Sequence, residues 1–142
     1  MIGLIMLSHG PLAIGLYESS RFFSNDIQHI ECLALNSGDN PLDFQSKIEV
    51  LYNKVNDNDG VIIFSDIPGG SPANQAQLIA NMHPDIRIIC GMNLIMVIEA
   101  LIHRETMDLK SLCELIIQSG KESILLINSV LVKDDNDMDS SF

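Results

Sequence analysis

Hydrophobic positions along the chain fall into short runs that alternate with stretches of helical spacing. Apolar runs of strand length occupy Ile2 to Leu7, Ile27 to Leu35, Val61 to Phe64 and Ile86 to Cys90, and each leads through turn residues into a helical pattern. A first helix is expected to start at Pro11. After Gly38, the residues Phe44, Ile48, Leu51 and Val55 recur at i, i+4, i+7 and i+11, with Asn40 placed to cap and Pro41 at the first helical position. Ser71-Pro72 repeats that start signal for a helix through Ala76, Leu78 and Ile79, which Pro84 ends. Another helix covers about Leu94 to His103. Asp108 caps a further one, with Leu109, Leu112, Cys113 and Ile116 on one face and Gly120 as its stop. A last apolar run, Ile124 to Val132, reads as a fifth strand.

This alternation implies an α/β fold: a doubly wound, mostly parallel five-stranded sheet flanked by helices, with right-handed crossovers. The length of 142 residues suits one domain with one core. That domain is expected over residues 1–130. Residues 131–142, where Asp134, Asp135, Asp137 and Asp139 crowd together, read as an acidic, disordered tail.

Composition narrows the class of function. The formal net charge of −11 argues against nucleic acid or anionic membrane as partners, since both require clustered Lys and Arg. Cys32, Cys90 and Cys113 are odd in number, widely spaced and set among apolar residues, which fits reduced thiols in a cytosol better than disulfides or zinc. Met1 to Leu7 is apolar but short and lacks a positive flank, so neither a secretory leader nor a membrane span is expected.

Two segments carry candidate chemistry. Strand one runs into Ser8-His9-Gly10-Pro11, and strand three into Ser65-Asp66-Ile67-Pro68-Gly69-Gly70-Ser71-Pro72. Open α/β sheets bind ligands beyond the carboxyl ends of their strands, so His9 and Asp66 both sit where a ligand would be. If the two strands are neighbours, Asp66 can accept a hydrogen bond from one imidazole nitrogen and leave the other as a nucleophile. Histidine, with an ordinary pKa of ~6.5, is largely neutral at cytosolic pH and needs no separate base to attack phosphorus. The aspartate would set the tautomer and stabilise the charge that the ring gains, as the acid of a catalytic triad does. Backbone N–H groups around Gly70 and Ser71, with the Ser71 hydroxyl, lie at a helix start suited to a phosphoryl anion. His29, His83 and His103 read as surface or packing residues, and Met92 and Met96 as core or contact residues.

These residues resemble the IIA domains of the mannose, fructose and sorbose family of sugar phosphotransferase systems. The resemblance covers about Met1 to Ile127. It rests on Ser8-His9-Gly10-Pro11-Leu12-Ala13, on Asp66 through Asn74, and on Gly91-Met92-Asn93-Leu94-Ile95-Met96 with Glu99-Ala100-Leu101. It implies a cytoplasmic phosphotransferase in which His9 accepts a phosphoryl group through Nε2 from the phosphocarrier protein HPr. His9 then passes it to a IIB component, which phosphorylates the sugar as a membrane complex imports it. Asp66 would hold the other ring nitrogen, and Ser8 and Ser71 would help bind the phosphoryl group. A homodimer that exchanges its last, antiparallel strand is implied as well, with contact to the membrane only through the transporter complex. No metal or cofactor is called for. The chain has Ile95 where the family usually has proline, and Pro68 where it has an aromatic residue or leucine.

Other readings fit less well. A hydrolase elbow at Ser71 would take an oxyanion donor from the next residue, but Pro72 has no N–H. A phosphate-binding loop of the nucleoside triphosphatases needs a lysine that is missing here. A regulatory relative of the family, or the phosphotransfer subunit of a dihydroxyacetone kinase, would share the histidine chemistry. Absence of a DNA-binding segment and the Gly91-Met92-Asn93-Leu94 motif favour sugar transport. The sugar itself is not written in a chain that never touches it.

Overall fold

A computed structural model of the chain describes residues 1–129. Its elements follow in the order β1 (Gly3–His9), α1 (Leu12–Ser20), β2 (Ile30–Leu35), α2 (Pro41–Val55), β3 (Val61–Ser65), α3 (Ser71–Ala80), β4 (Ile86–Cys90), α4 (Leu94–His103) and α5 (Leu109–Glu122). The strands form one parallel sheet in the order β2-β1-β3-β4. The chain thus winds outward from β1 to β2 and then crosses to the other side, which makes the β1–β3 seam the point where strand order reverses.

Alternation along the central strands divides the core in two. Leu4 and Met6 of β1, with Ile62 and Phe64 of β3, pack under α1, α4 and α5, whereas Ile5, Leu7, Val61 and Ile63 pack under α2 and α3. Strands covered on both faces are apolar throughout, which is why β1 and β3 read as continuous hydrophobic runs. The predicted caps form: Asn40 accepts from Leu42 N–H and Asp108 from Ser111 N–H. Asn93, not singled out as a cap, closes the start of α4 by accepting from Met96 N–H.

Three expectations need correction. The second strand starts at Ile30 rather than Ile27. Asp26 accepts from Gln28 N–H, His29 takes a φ of 53°, and the guanidinium of fully buried Arg104 binds the carbonyls of Gln28 and His29 while pairing with Asp26 at 2.9 Å. These side-chain contacts hold the segment in a turn despite its apolar Ile27.

Gly120 does not stop the last helix, which continues to Glu122. Instead it lets α4 and α5 approach, since a Cβ there would stand 2.6 Å from Met96 Cγ. Finally, the sheet has four strands among the described residues, not five. Ile124 to Leu126 are irregular and Ile127–Ser129 form a short 3-10 turn. Among the described residues the sheet ladder does not include this segment, whose residues Ile124 to Ile127 are 60–78% exposed. The remainder of that expected strand and the acidic tail lie outside the described residues.

Glycine substitutions separate the constraints of the sheet from those of a helix. A Cβ at Gly3 would lie 2.5 Å from the Val55 carbonyl oxygen, so Gly3→Ala is expected to cost about 1–3 kcal/mol of stability. Gly15, inside α1 with nothing within 4 Å of its Cβ position, should gain about 0.4–1 kcal/mol when changed to alanine. Urea unfolding of both variants beside the parent checks the opposite signs.

Candidate functional site

Parallel pairing of β1 and β3, with Leu7 opposite Ser65, brings the carboxyl ends of both strands together. His9 is the last residue of β1 and Asp66 the first beyond β3, so the juxtaposition expected from sequence forms at the seam where strand order reverses. Asp66 Oδ2 accepts twice from His9, from its backbone N–H at 2.8 Å and from ring Nδ1 at 2.9 Å. A carboxylate can only accept, so Nδ1 carries a proton, which in the neutral ring leaves the lone pair on Nε2. The His9 side chain is 45% exposed whereas that of Asp66 is 8% exposed, which puts the acid below and the imidazole at the surface.

The remaining bonds hold Asp66 itself. Its Oδ1 accepts from Ile67 N–H at 2.8 Å and from the Ser65 hydroxyl at 3.4 Å. Its backbone carbonyl takes Gly91 N–H, joining the segment after β4 to the site. Burial pushes the Asp66 carboxyl upward, but the His9 N–H, the His9 ring and the Ile67 N–H together outweigh it and hold the group below the usual carboxylate range. Asp66 is therefore an anion at neutral pH. Cys90, at the end of β4, is a neutral thiol, because burial and the charge of Asp66 both push it up.

The glycine turn fits closely over the ring. Gly69 takes a φ of 81°, Gly70 N–H donates to Ile67 O at 3.1 Å, and Asn74 Nδ2 holds Gly69 O at 3.1 Å. A Cβ on Gly70 would stand 2.8 Å from His9 Cε1 and 3.5 Å from Nε2. The free ring nitrogen thus lies against the entry to α3, where the first-turn N–H groups of Ser71 and Ala73 have no helical carbonyl behind them. Ser71 is exposed and opens the helix, while Gly70 at the cap supplies close approach rather than its own committed N–H.

Ser8 lies elsewhere. Its side chain is fully buried and its hydroxyl is engaged on both sides, donating to Gly10 O and accepting from Ala13 N–H, each at 2.8 Å. Both directions of its hydroxyl are thus committed within the turn that follows His9. The bracing roles of Ser65 and Asn74 were not read from sequence, since neither spacing nor residue type marks them. The other histidines pair away from the site: His29 with Val55 O, His83 with Glu49, and His103 with Glu99. Met92 and Met96 are buried in the core. Among the described residues no group of three or more His, Cys, Asp or Glu could hold a metal ion, and no helix is long and apolar enough to cross a membrane.

Comparison with known proteins points to one family. Residues 3–117 match the family model described as the PTS system fructose IIA component. The PTS system sorbose-specific EIIA component of Klebsiella pneumoniae is 30% identical over 114 residues, covering 80% of this chain and 83% of that protein. The mannose-specific EIIAB component of Escherichia coli (strain K12) is 24% identical over 124 residues, which are 87% of this chain but 38% of that longer protein. Among solved structures, the phosphotransferase system component EIIA from Streptococcus agalactiae has the same fold. Its TM-score is 0.81 at 23% identity, over 92% of this chain and all of that one.

The contact between Gly70 and the ring can be tested directly. Gly70→Ala is expected to leave the sheet folded but to displace the His9 ring, breaking the Nδ1 contact to Asp66. In imidazole NMR spectra the His9 resonances should move while those of His83 and His103 stay in place.

Proposed function

Because the chain belongs to the IIA component family of the sugar phosphotransferase systems, we propose that it is a cytoplasmic phosphocarrier that relays a phosphoryl group through His9. The observation that carries this reading is the single Asp66 oxygen holding both the backbone and Nδ1 of His9, with Nε2 left at the start of α3. Phospho-HPr is the donor and a IIB component the acceptor. The Nε2 lone pair attacks phosphorus, a new N–P bond forms, and the donor's N–P bond breaks with its electron pair returning to the donor imidazole. His9 becomes a phosphorylated imidazolium whose Nδ1–H remains on Asp66, so the charge that develops in the ring meets a carboxylate already in place. Transfer to IIB reverses these steps and restores the neutral ring.

Donors for the phosphoryl oxygens come from the start of α3: Ser71 N–H, Ala73 N–H and the Ser71 hydroxyl, aided by the helix dipole. Gly70 lets this backbone come close. The exposed ring suits exchange with other proteins, which must reach Nε2 from outside. Neither metal nor cofactor enters the chemistry.

We further propose a homodimer that exchanges the final strand. Four successive apolar residues, Ile124 to Ile127, are exposed, and β4 lies at an edge of the sheet with Ile89, Cys90, Met96 and Ile117 beside Ile124 in a shallow cleft of about 140 Å³. Such an apolar segment next to an open edge favours pairing with a second chain. Sedimentation at micromolar concentration should give twice the chain mass of 15.7 kDa, and a monomer there would remove this part of the reading.

Incubation with phosphoenolpyruvate, enzyme I and HPr should add one acid-labile phosphate by intact mass to the parent and none to His9→Ala. Asp66→Asn should remain folded and accept phosphate more slowly by roughly 10²–10⁴-fold. A parent that takes no label, or label retained on His9→Ala, would overturn the proposal.

A further inference from the structure

Ser8 occupies an unusual place for a polar side chain. It follows Leu4 and Met6 on the face of β1 that packs under α1, α4 and α5, and it is fully enclosed. A hydroxyl so buried must find partners. Ser8 Oγ finds them on both sides of the turn that follows, donating to Gly10 O and accepting from Ala13 N–H. Ala13 is the second residue of α1, so its N–H is one of the orphan donors of a helix start. Pro11 at the cap offers no side-chain acceptor. Ser8 thus caps α1 from five residues upstream.

That turn carries His9. Asp66 holds the His9 N–H, Leu35 O accepts Gly10 N–H at 2.8 Å, and Gly10 takes a φ of 60°. We propose that Ser8 is a positioning residue for phosphoryl transfer, closing the turn from His9 to Ala13 so that the imidazole meets Asp66 through Nδ1 and keeps Nε2 outward. The proposal rests on the phosphocarrier reading above, but gives Ser8 no contact with the phosphoryl group or with a partner protein. Ser8 acts through the backbone of His9 and Gly10. Without its hydroxyl, Ala13 N–H loses its partner, Gly10 O is released, and the ring samples orientations in which Asp66 no longer holds Nδ1.

The test combines imidazole ¹⁵N NMR with phosphorylation kinetics on Ser8→Ala, Ser8→Cys and Ser8→Thr, each checked for folding by circular dichroism. Ser8→Cys keeps the shape but forms poor hydrogen bonds, so it stands in if the alanine variant does not fold. The parent should show His9 in the Nδ1–H tautomer. The alanine and cysteine variants should show a second, Nε2–H population and a rate at saturating phospho-HPr lower by roughly 10- to 100-fold, in line with the cost of a misplaced reacting group. The half-saturating HPr concentration should not change, and Ser8→Thr, which keeps the hydroxyl, should recover both readouts.

A folded Ser8→Ala or Ser8→Cys with a single tautomer and the parental rate would overturn the assignment. So would a raised half-saturating concentration with the tautomer intact, which would make Ser8 a binding group. Failure of the parent to take phosphate would overturn the phosphocarrier reading instead, and the tautomer spectra would still decide whether Ser8 orients His9.

Discussion

Everything at the site depends on one strand pairing. β1 and β3 are separated in sequence by a helix, a strand and a second helix, yet they lie side by side in parallel with Leu7 opposite Ser65. This register sets the distance between His9 and Asp66 before either side chain chooses a rotamer. A slip of one residue would turn every β3 side chain to the opposite face and bury the wrong set. The packing of Val61 and Ile63 into one core layer and of Ile62 and Phe64 into the other therefore maintains the site geometry as much as the fold.

Asp66 then restrains the exposed side chain of His9. A histidine that stands in solvent would otherwise turn its ring freely and exchange tautomers. Here the exposed group is steered from beneath by a largely buried carboxylate that is itself satisfied by Ile67 N–H and Ser65. Binding the backbone and ring of one residue through the same oxygen ties ring orientation to the end of the strand. The ring is ordered by the scaffold while its outer edge remains open.

Much of this was legible in the sequence because the signals are local and repeated. Proline at a first helical position, asparagine or aspartate at a cap, and apolar runs of strand length located most elements. The α/β alternation put His9 and Asp66 at the same end of the sheet, and their meeting needed the added condition that β1 and β3 be neighbours. What failed to show were effects that depend on distant partners. Ile27 lies outside the strand because Arg104, far along the chain, binds the carbonyls of the next two residues. The resemblance implies a phosphoryl-binding role for Ser8 but does not show that its buried hydroxyl bonds to Gly10 O and Ala13 N–H. The run from Ile124 has strand composition, yet pairing requires an edge that no local pattern reveals.

The close approach of α4 and α5 makes positions 96 and 120 share one volume. With a Cβ at 120 falling on Met96 Cγ, neither residue can change size alone without opening a gap or forcing the helices apart. Asn93 Nδ2 also reaches Gly120 O at 3.4 Å, so parting the helices would strain the start of α4 as well. Sequence drift at this contact is consequently constrained to move in pairs: a larger residue on one helix must be matched by a smaller one on the other. Tolerance to mutation at either site becomes a property of the partner residue, and family members that diverge here are expected to differ at both positions together.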